Sequence, residues 1–338
     1  MAFDPTTGAQ WPTLYNLTKM LDPDGSLADI GKVYTYTNEV MADIPYKEAN
    51  GKMYHRITVE DGLPSGTWRS LNKGIRPTDA GTLQVDESIG LLENRAQADV
   101  VLARLSGDIA QFRKEKGDRI IRGLSKQNCD VLFYGDVTTY PEEYHGFAPR
   151  YDSLGKKTDS FGAFNPMNQV YSMGGSSNCT SVWLIGWGDP VYGIYPQGSK
   201  MGIETEDLGM IDVYDADGGV YRAYAEHFRL SMGLAVEDWR YVARLANIDV
   251  TATLNDALLT LFLNNLIDMQ HALPDLKSVR PAYYMNRNVK SYLTKLAYLK
   301  TNLALNIGEV YGEKNVLNLN GIPIRQCDSI TLTETALS

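Results

Sequence analysis

Residues 182–249 constrain this chain more than any other stretch, because β-favouring runs alternate there with turn residues at short intervals. SVWLIGW, ending at Trp187, reads as a buried strand, and the glycines of GWGDPVYG permit a turn at Pro190. IDVYDADGGVYRAYAEHF reads as two strands joined by Asp215-Ala216-Asp217-Gly218-Gly219, a strong hairpin signal. In WRYVARLAN, the apolar Trp239, Tyr241, Ala243 and Leu245 occupy odd positions while Arg240 and Arg244 face the other way, which is the period of a strand. A long aromatic β segment without catalytic groups suggests a protein that works by its shape and edges.

The rest of the chain supplies an arm, a limb and a helix. Residues 1–40 carry Pro5, Pro12 and Pro23 with no sustained period, as in an extended arm that finds its contacts elsewhere, with a short helical turn expected in 22–31. Residues 52–60 alternate as a strand. The following segment, 61–82, sets turn formers among Trp68, Arg69, Lys73 and Arg76. It is either a solvated surface loop or a limb reaching a neighbouring subunit, where Trp and Arg are typical anchors. From Asp86 to about Cys129, the apolar Ile89, Leu92, Ala96, Val100, Leu105, Ile109, Phe112, Ile120 and Leu124 predict a long surface-lying helix, broken near Gly107 or Gly117. VLFYGD (131–136) is its tail or a short strand.

Beyond the β section, Thr253 or Asn255 is placed to cap a helix over 256–272, with Leu258, Leu261, Leu266 and Met269 on its buried side. A strand is expected at 280–286 and an amphipathic helix over 287–305. The end of the chain reads as strand, turn at Asn320–Gly321, and strand. The sum is an α+β protein of more than one lobe.

Composition removes several classes of function. A net charge of −9 and a pI near 5.0 lack the basic footprint of a sequence-independent nucleic-acid binder. Three cysteines far apart form neither a disulfide framework nor a zinc pattern and fit a reducing compartment. No apolar run reaches membrane-spanning length and no signal pattern opens the chain, so a soluble, cytosolically made protein is expected. The 21 tyrosines suit either cross-strand pairing or surfaces that become buried against partners.

The search for catalytic motifs is negative. Gly155-Lys156-Lys157-Thr158 lacks the rest of a phosphate-binding loop, and no G-x-G-x-x-G opens a helix. The four histidines, His55, His145, His227 and His271, never stand four apart, so no helical two-His metal site exists. Asp215, Asp217 and Gly218 fall out of frame for a calcium loop, since Val213 and Tyr224 occupy the first and closing ligand positions. Glu142–Glu143 and Glu204–Glu206–Asp207 read as solvated loop charge. No catalytic, cofactor-binding or metal-binding residue is assigned, and the chain is expected not to be an enzyme.

Wording and order together resemble one family. YHGFAPRYDSL (144–154), SNCTSVWLIGWGDPVYGIYPQGSKMGIETEDLG, YRAYAEHFRLSMGLAVEDWRYVARLANID and the terminal LNLNGIPIRQCDSI look like major capsid proteins of tailed, in particular short-tailed, bacteriophages. The resemblance covers nearly the whole chain. It implies a Hong Kong 97-type α+β fold, with an N-arm (1–48), an extended E-loop (49–84), a P-domain with spine helix (85–150 and 205–250) and an A-domain (151–204 and 251–338). Gly321-Ile322-Pro323 stands unusually close to the end of the chain, so a variant with its elements connected in a different order is expected.

What the resemblance implies is a shell subunit that assembles as pentamers and hexamers into an icosahedral head around phage double-stranded DNA, touched without sequence specificity. Arg56, Trp68, Arg69, Lys73 and Arg76 are then E-loop contacts to an adjacent capsomer. A separate scaffolding protein, a portal and a decoration protein are the implied partners. The implied location is the virion, assembled in the bacterial cytoplasm. The lysine, asparagine and glutamate of the isopeptide crosslink found in some relatives are not matched. An encapsulin-like compartment shell is the alternative. A third reading, a carbohydrate-binding or hydrolytic β protein, requires Trp183, Trp187 or Trp239 to meet a ligand.

Overall fold

A computed structural model describes residues 2–3, 10–11, 38–61, 64, 66–75, 77, 81–154, 169–215, 217–250, 256–298, 305–310 and 313–337. Most of the expected arm, the 22–31 turn and the candidate caps Thr253 and Asn255 lie outside them. In chain order the elements are β1 (Ala2–Phe3), β2 (Gln10–Trp11), α1 (Val40–Asp43), β3 (Tyr46–Glu48), β4 (Tyr54–Asp61) and β5 (Gly81–Asp99). Then come α2 (Val100–Leu105), α3 (Ile109–Tyr134), β6 (Val170–Ser172), β7 (Cys179–Trp187), β8 (Val191–Tyr195), β9 (Ile203–Tyr214), β10 (Val220–Val236) and β11 (Val242–Asp249). The chain continues with α4 (Asp256–Ala272), β12 (Arg280–Met285), α5 (Arg287–Tyr298), β13 (Leu305–Val310), β14 (Glu313–Leu319) and β15 (Ile322–Gln326). It divides into two compact units, one made of 1–35, 91–128 and 200–231, the other of 36–90, 129–199 and 232–338.

In the first unit, β9 and β10 form the hairpin expected from Asp215–Gly219, with Tyr214 opposite Val220 and Gly218 at a φ of 83°. The helix α3 lays Ile120, Ile121 and Leu124 against Phe228 of β10, Ile203 of β9 and Leu92 and Ala96 of β5. Gly117 does not break it. A Cβ there would stand 3.2 Å from the Phe228 ring, so the glycine lets helix and strand approach. The break falls at Gly107, whose φ is 83°, and Asp108 restarts the helix by accepting the amides of Ala110 and Gln111 at 2.9 and 3.0 Å.

The helix predicted from Asp86 therefore begins only at Val100, and residues 81–99 form a strand. Ile89, Leu92 and Ala96 happen to match helical spacing, but β5 lies between two partner strands, β4 along residues 81–88 and β10 on its other edge. Asp99, accepting the Val101 amide at 2.7 Å, switches the chain from strand to helix. Local periodicity loses to a partner strand that the periodicity does not register. The VLFYGD segment is the tail of α3, which ends at Tyr134.

The second unit is built around a seven-stranded mixed sheet in the order β13-β14-β15-β12-β7-β11-β6. Every residue of β7 is buried, as a strand covered on both faces should be. Val182 and Leu184 point to one side and pack with Ala243 and Leu245, with Phe262, Leu266 and Met269 of α4, and with Val289 and Leu293 of α5. Trp183 and Trp187 point to the other, among Phe133, Phe147, Tyr151 and Tyr284. On α4 the buried side runs through Phe262 rather than Leu261, which is exposed. The Asn320–Gly321 turn closes β14 onto β15 with both residues at positive φ, 52° and 85°.

The two arginines of the 239–247 segment part company. Arg240 sits in a 3₁₀ turn, paired with Asp238 at 2.7 Å. Arg244 does face away from Ala243 and Leu245, but that face is also core. It lies 4.9 Å from the Trp183 ring and donates to Ser181 Oγ at 3.0 Å, to the Tyr151 carbonyl at 2.7 Å and to Glu334 Oε2 at 2.9 Å. Glu334 also accepts from Tyr134 Oη at 2.5 Å and from the Ser181 hydroxyl. The two charged side chains are 4% and 6% exposed, so the last residues of the chain close a charge that the sheet has buried.

Removing one member of this pair strands the other. Glu334→Ala is expected to cost about 3–5 kcal/mol in urea unfolding followed by tryptophan fluorescence. The double change Arg244→Met with Glu334→Leu, which removes both charges, is expected to cost clearly less. Equal losses would show that packing, not charge compensation, governs this region.

Candidate functional site

β4 and residues 81–88 of β5, at the edge of a six-stranded sheet in the order β3-β8-β10-β5-β4 with β9 also on β10, form a limb that leads to the segment 66–75. Eight residue pairs, from Tyr54 opposite Ser88 to Asp61 opposite Gly81, set its register. Arg56 stands opposite Asp86 and grips it with two hydrogen bonds, Nε to Oδ1 at 2.6 Å and Nη2 to Oδ2 at 2.7 Å. That hydrogen-bonded guanidinium holds the Asp86 carboxyl below the usual carboxylate range. Both side chains are about half exposed, so the pair fixes register and direction more than it adds stability.

The tip is exposed throughout. Each residue from 66 to 75 is exposed, with Trp68 102%, Leu71 89% and Ile75 64% accessible. The chain reverses at Leu71–Asn72, where Asn72 has a φ of 64° and the Lys73 amide donates to the Ser70 carbonyl at 3.3 Å. An indole, two large aliphatic side chains and the cations Arg69 and Lys73 share one short segment. Such a combination matches the buried centre of a protein interface better than it matches a surface meant for water.

Of the residues singled out from the sequence, Trp68, Arg69 and Lys73 come together on this tip. Arg56 instead lies along the limb, held by Asp86, and Arg76 falls outside the described residues. Leu71 and Ile75 escaped notice. Their signal, aliphatic residues placed between turn formers with no periodic partner, is legible only once the segment is known to be unsupported.

At the base of the limb a second set of groups was missed. Glu87 of β5 is buried and takes both guanidinium nitrogens of Arg150 at 2.6 Å. His55 of β4 stacks edge-on to Tyr192 of β8, with His55 Nε2 2.9 Å from Tyr192 Oη, which donates to Glu237 Oε1 at 2.5 Å. None of these could be paired from sequence because their partners lie 45 to 137 positions away.

Chemistry elsewhere has structural explanations. His227 Nε2 lies 3.1 Å from Glu93, which also takes Arg229 at 2.6 Å. Asp207, expected as solvated loop charge, joins Glu226 in pairing Arg113, each at 2.7 Å. Trp183 and Trp187 are fully buried and so closed to a ligand. Among the described residues no group of three metal-ligating side chains converges, and no helix is long and apolar enough to cross a membrane.

The family model described as major capsid protein GP7 matches residues 22–338. A chain in the structure of Bacteriophage Epsilon15 is 26% identical, with 99% of each chain covered and a TM-score of 0.73. The capsid of a native GTA particle is 9% identical over 68% of this chain and 95% of that one, TM-score 0.48. The Bacteriophage JBD30 capsid is 8% identical over 89% and 93%, TM-score 0.46. No curated protein sequence gives a significant match.

Since Trp68 is fully exposed among the described residues, Trp68→Ala is expected to leave the stability of the unassembled protein within about 0.5 kcal/mol. Thermal unfolding checks this. A large loss would mean that the indole belongs to the subunit's own core.

Proposed function

The chain belongs to the major capsid protein GP7 family, and from that premise we propose that the limb formed by β4 and β5 is the arm by which one capsid subunit holds the next. The protein is a phage major capsid protein, and its α+β architecture is that of the Hong Kong 97-type capsid fold. One observation carries the reading of the limb: Trp68 stands fully exposed beside Leu71, Ile75 and two cations on a segment that no described residue of its own subunit covers. A head-to-tail contact, in which a projecting element of each copy meets a different surface on its neighbour, closes into rings when the rotation permits. Pentamers and hexamers tiling an icosahedral head are the arrangement that follows.

Double-stranded DNA is enclosed without sequence-specific contact, a reading supported by the net charge of −9. A separate scaffolding protein and a portal are the partners proposed for assembly in the bacterial cytoplasm, with a decoration protein on the finished particle. Similarity over 99% of both chains to a Bacteriophage Epsilon15 protein supports a phage head rather than an encapsulin-like compartment.

Electron microscopy of the expressed protein under assembly conditions is expected to show closed shells for the unaltered chain. Trp68→Ala, and Arg69→Glu with Lys73→Glu, are expected to reduce shell formation at least tenfold while circular dichroism of the subunit stays unchanged. Normal shells from both variants would remove the limb from the assembly contact.

A further inference from the structure

The base of the limb holds a histidine whose hydrogen bonds specify one protonation state. Tyr192 Oη donates its proton to Glu237 Oε1 at 2.5 Å, so toward His55 its oxygen accepts, and His55 Nε2 must carry a hydrogen. On the other side of the ring, the Asn50 backbone N–H donates to His55 Nδ1 at 3.2 Å, which requires Nδ1 to be bare. Both nitrogens are thus committed, one as donor and one as acceptor, and the ring is neutral. Asn50 is at the same time tied to the strand, its side chain donating to the Arg56 carbonyl at 2.8 Å and accepting the Arg56 amide at 2.9 Å. The turn from β3 into β4 is therefore closed by three hydrogen bonds from a single asparagine, one of which exists only while His55 is uncharged.

We propose that this arrangement is a proton-sensitive latch, in which protonation of His55 at Nδ1 opposes the Asn50 N–H, breaks the turn and frees the root of the limb to reorient. The proposal rests on the reading of the limb as the arm between subunits, and it names how that arm is regulated. The groups facing His55 come from every element around it: Tyr192 of β8, Glu237 beyond β10, Glu87 of β5 and Lys47 of β3. Lys47 is itself paired with Asp189 at 3.0 Å and lies 4.0 Å from the centre of the Tyr192 ring, while Glu87 is taken up by Arg150.

Burial outweighs the pull of Glu237 and Glu87 and lowers the His55 pKa from the ordinary 6.5. A titrating group depressed in the folded state contributes stability that is present above its unfolded value and is lost as pH falls through the folded one. The latch is therefore closed at neutral pH and opens on acidification below 6.5.

Hydrogen exchange of the unassembled full-length subunit tests this. With intrinsic rates corrected for, amides of 50–58 in the unaltered protein are expected to exchange at least tenfold faster at pH 5 than at pH 7.5, while those of β7 remain protected. His55→Gln, which cannot titrate, is expected to abolish that dependence. Flat corrected exchange in the unaltered chain overturns the latch, and so does an equal acid response in His55→Gln, which would assign it to the carboxylates. Loss of protection in β7 at pH 5 would show global unfolding and overturn it likewise. Since exchange is read on free subunits and the role of the limb on shells, either idea can fail while the other stands.

Discussion

A charge placed in the middle of a sheet has to be answered where it lies, and in this protein the answer comes from the far end of the chain. Arg244 occupies a buried position on β11, above Trp183, and its guanidinium is met by Ser181, the Tyr151 carbonyl and Glu334. Glu334 in turn draws in Tyr134 at the tail of α3. Helix end, central strands and C-terminal segment are thereby fixed to one another, since none can leave without exposing an uncompensated charge. Asn247 repeats the device on a smaller scale, exchanging hydrogen bonds with the backbone of Leu337 at 2.8 and 3.0 Å. These closures complement the apolar contacts on the opposite face of the sheet.

That rigidity is what allows the same unit to project something it cannot stabilise. The limb is anchored at its base by buried Glu87 with Arg150 and by the His55–Tyr192–Glu237 chain, and it is aligned along its length by Arg56 with Asp86. Beyond that, Trp68, Leu71 and Ile75 stand exposed among the described residues. Under the proposed reading of the limb, apolar surface left uncovered in the free subunit drives assembly, and the base sets the direction in which it is offered. Titration at the base would then change direction without changing the contact surface itself.

Much of the limb was legible in advance, because breakers clustered around a tryptophan and cations have no internal partner to hide against. So were the β9–β10 hairpin, through Asp217-Gly218, and the β14–β15 turn, through Asn320–Gly321, where positive φ values demand such residues. The error at 86–99 has a definite cause. Ile89, Leu92 and Ala96 carry helical spacing, yet β5 is a strand paired with β4 over residues 81–88 and with β10 on its other edge, and pairing leaves no trace in the period of one strand. Gly107 and Gly117 are equal candidates for the helix break on local grounds, and only the first is one. The actual role of Gly117, admitting the Phe228 ring, depends on a residue more than a hundred positions away.

The sequence by itself determined the fold class, the strand-and-turn succession of 179–249, the helix pattern after Gly107 and the family, since each rests on local chemistry or on wording that can be read along the chain. Tertiary structure alone decided that both faces of β7 and β11 are core, that Arg244 belongs to Glu334, that Arg56 serves the limb rather than its tip, and that His55 meets Tyr192. Burial and ion pairing are properties of juxtaposition, and the residues juxtaposed here are separated by 30 to 137 positions. No periodicity of 2 or 3.6 residues carries information across such distances.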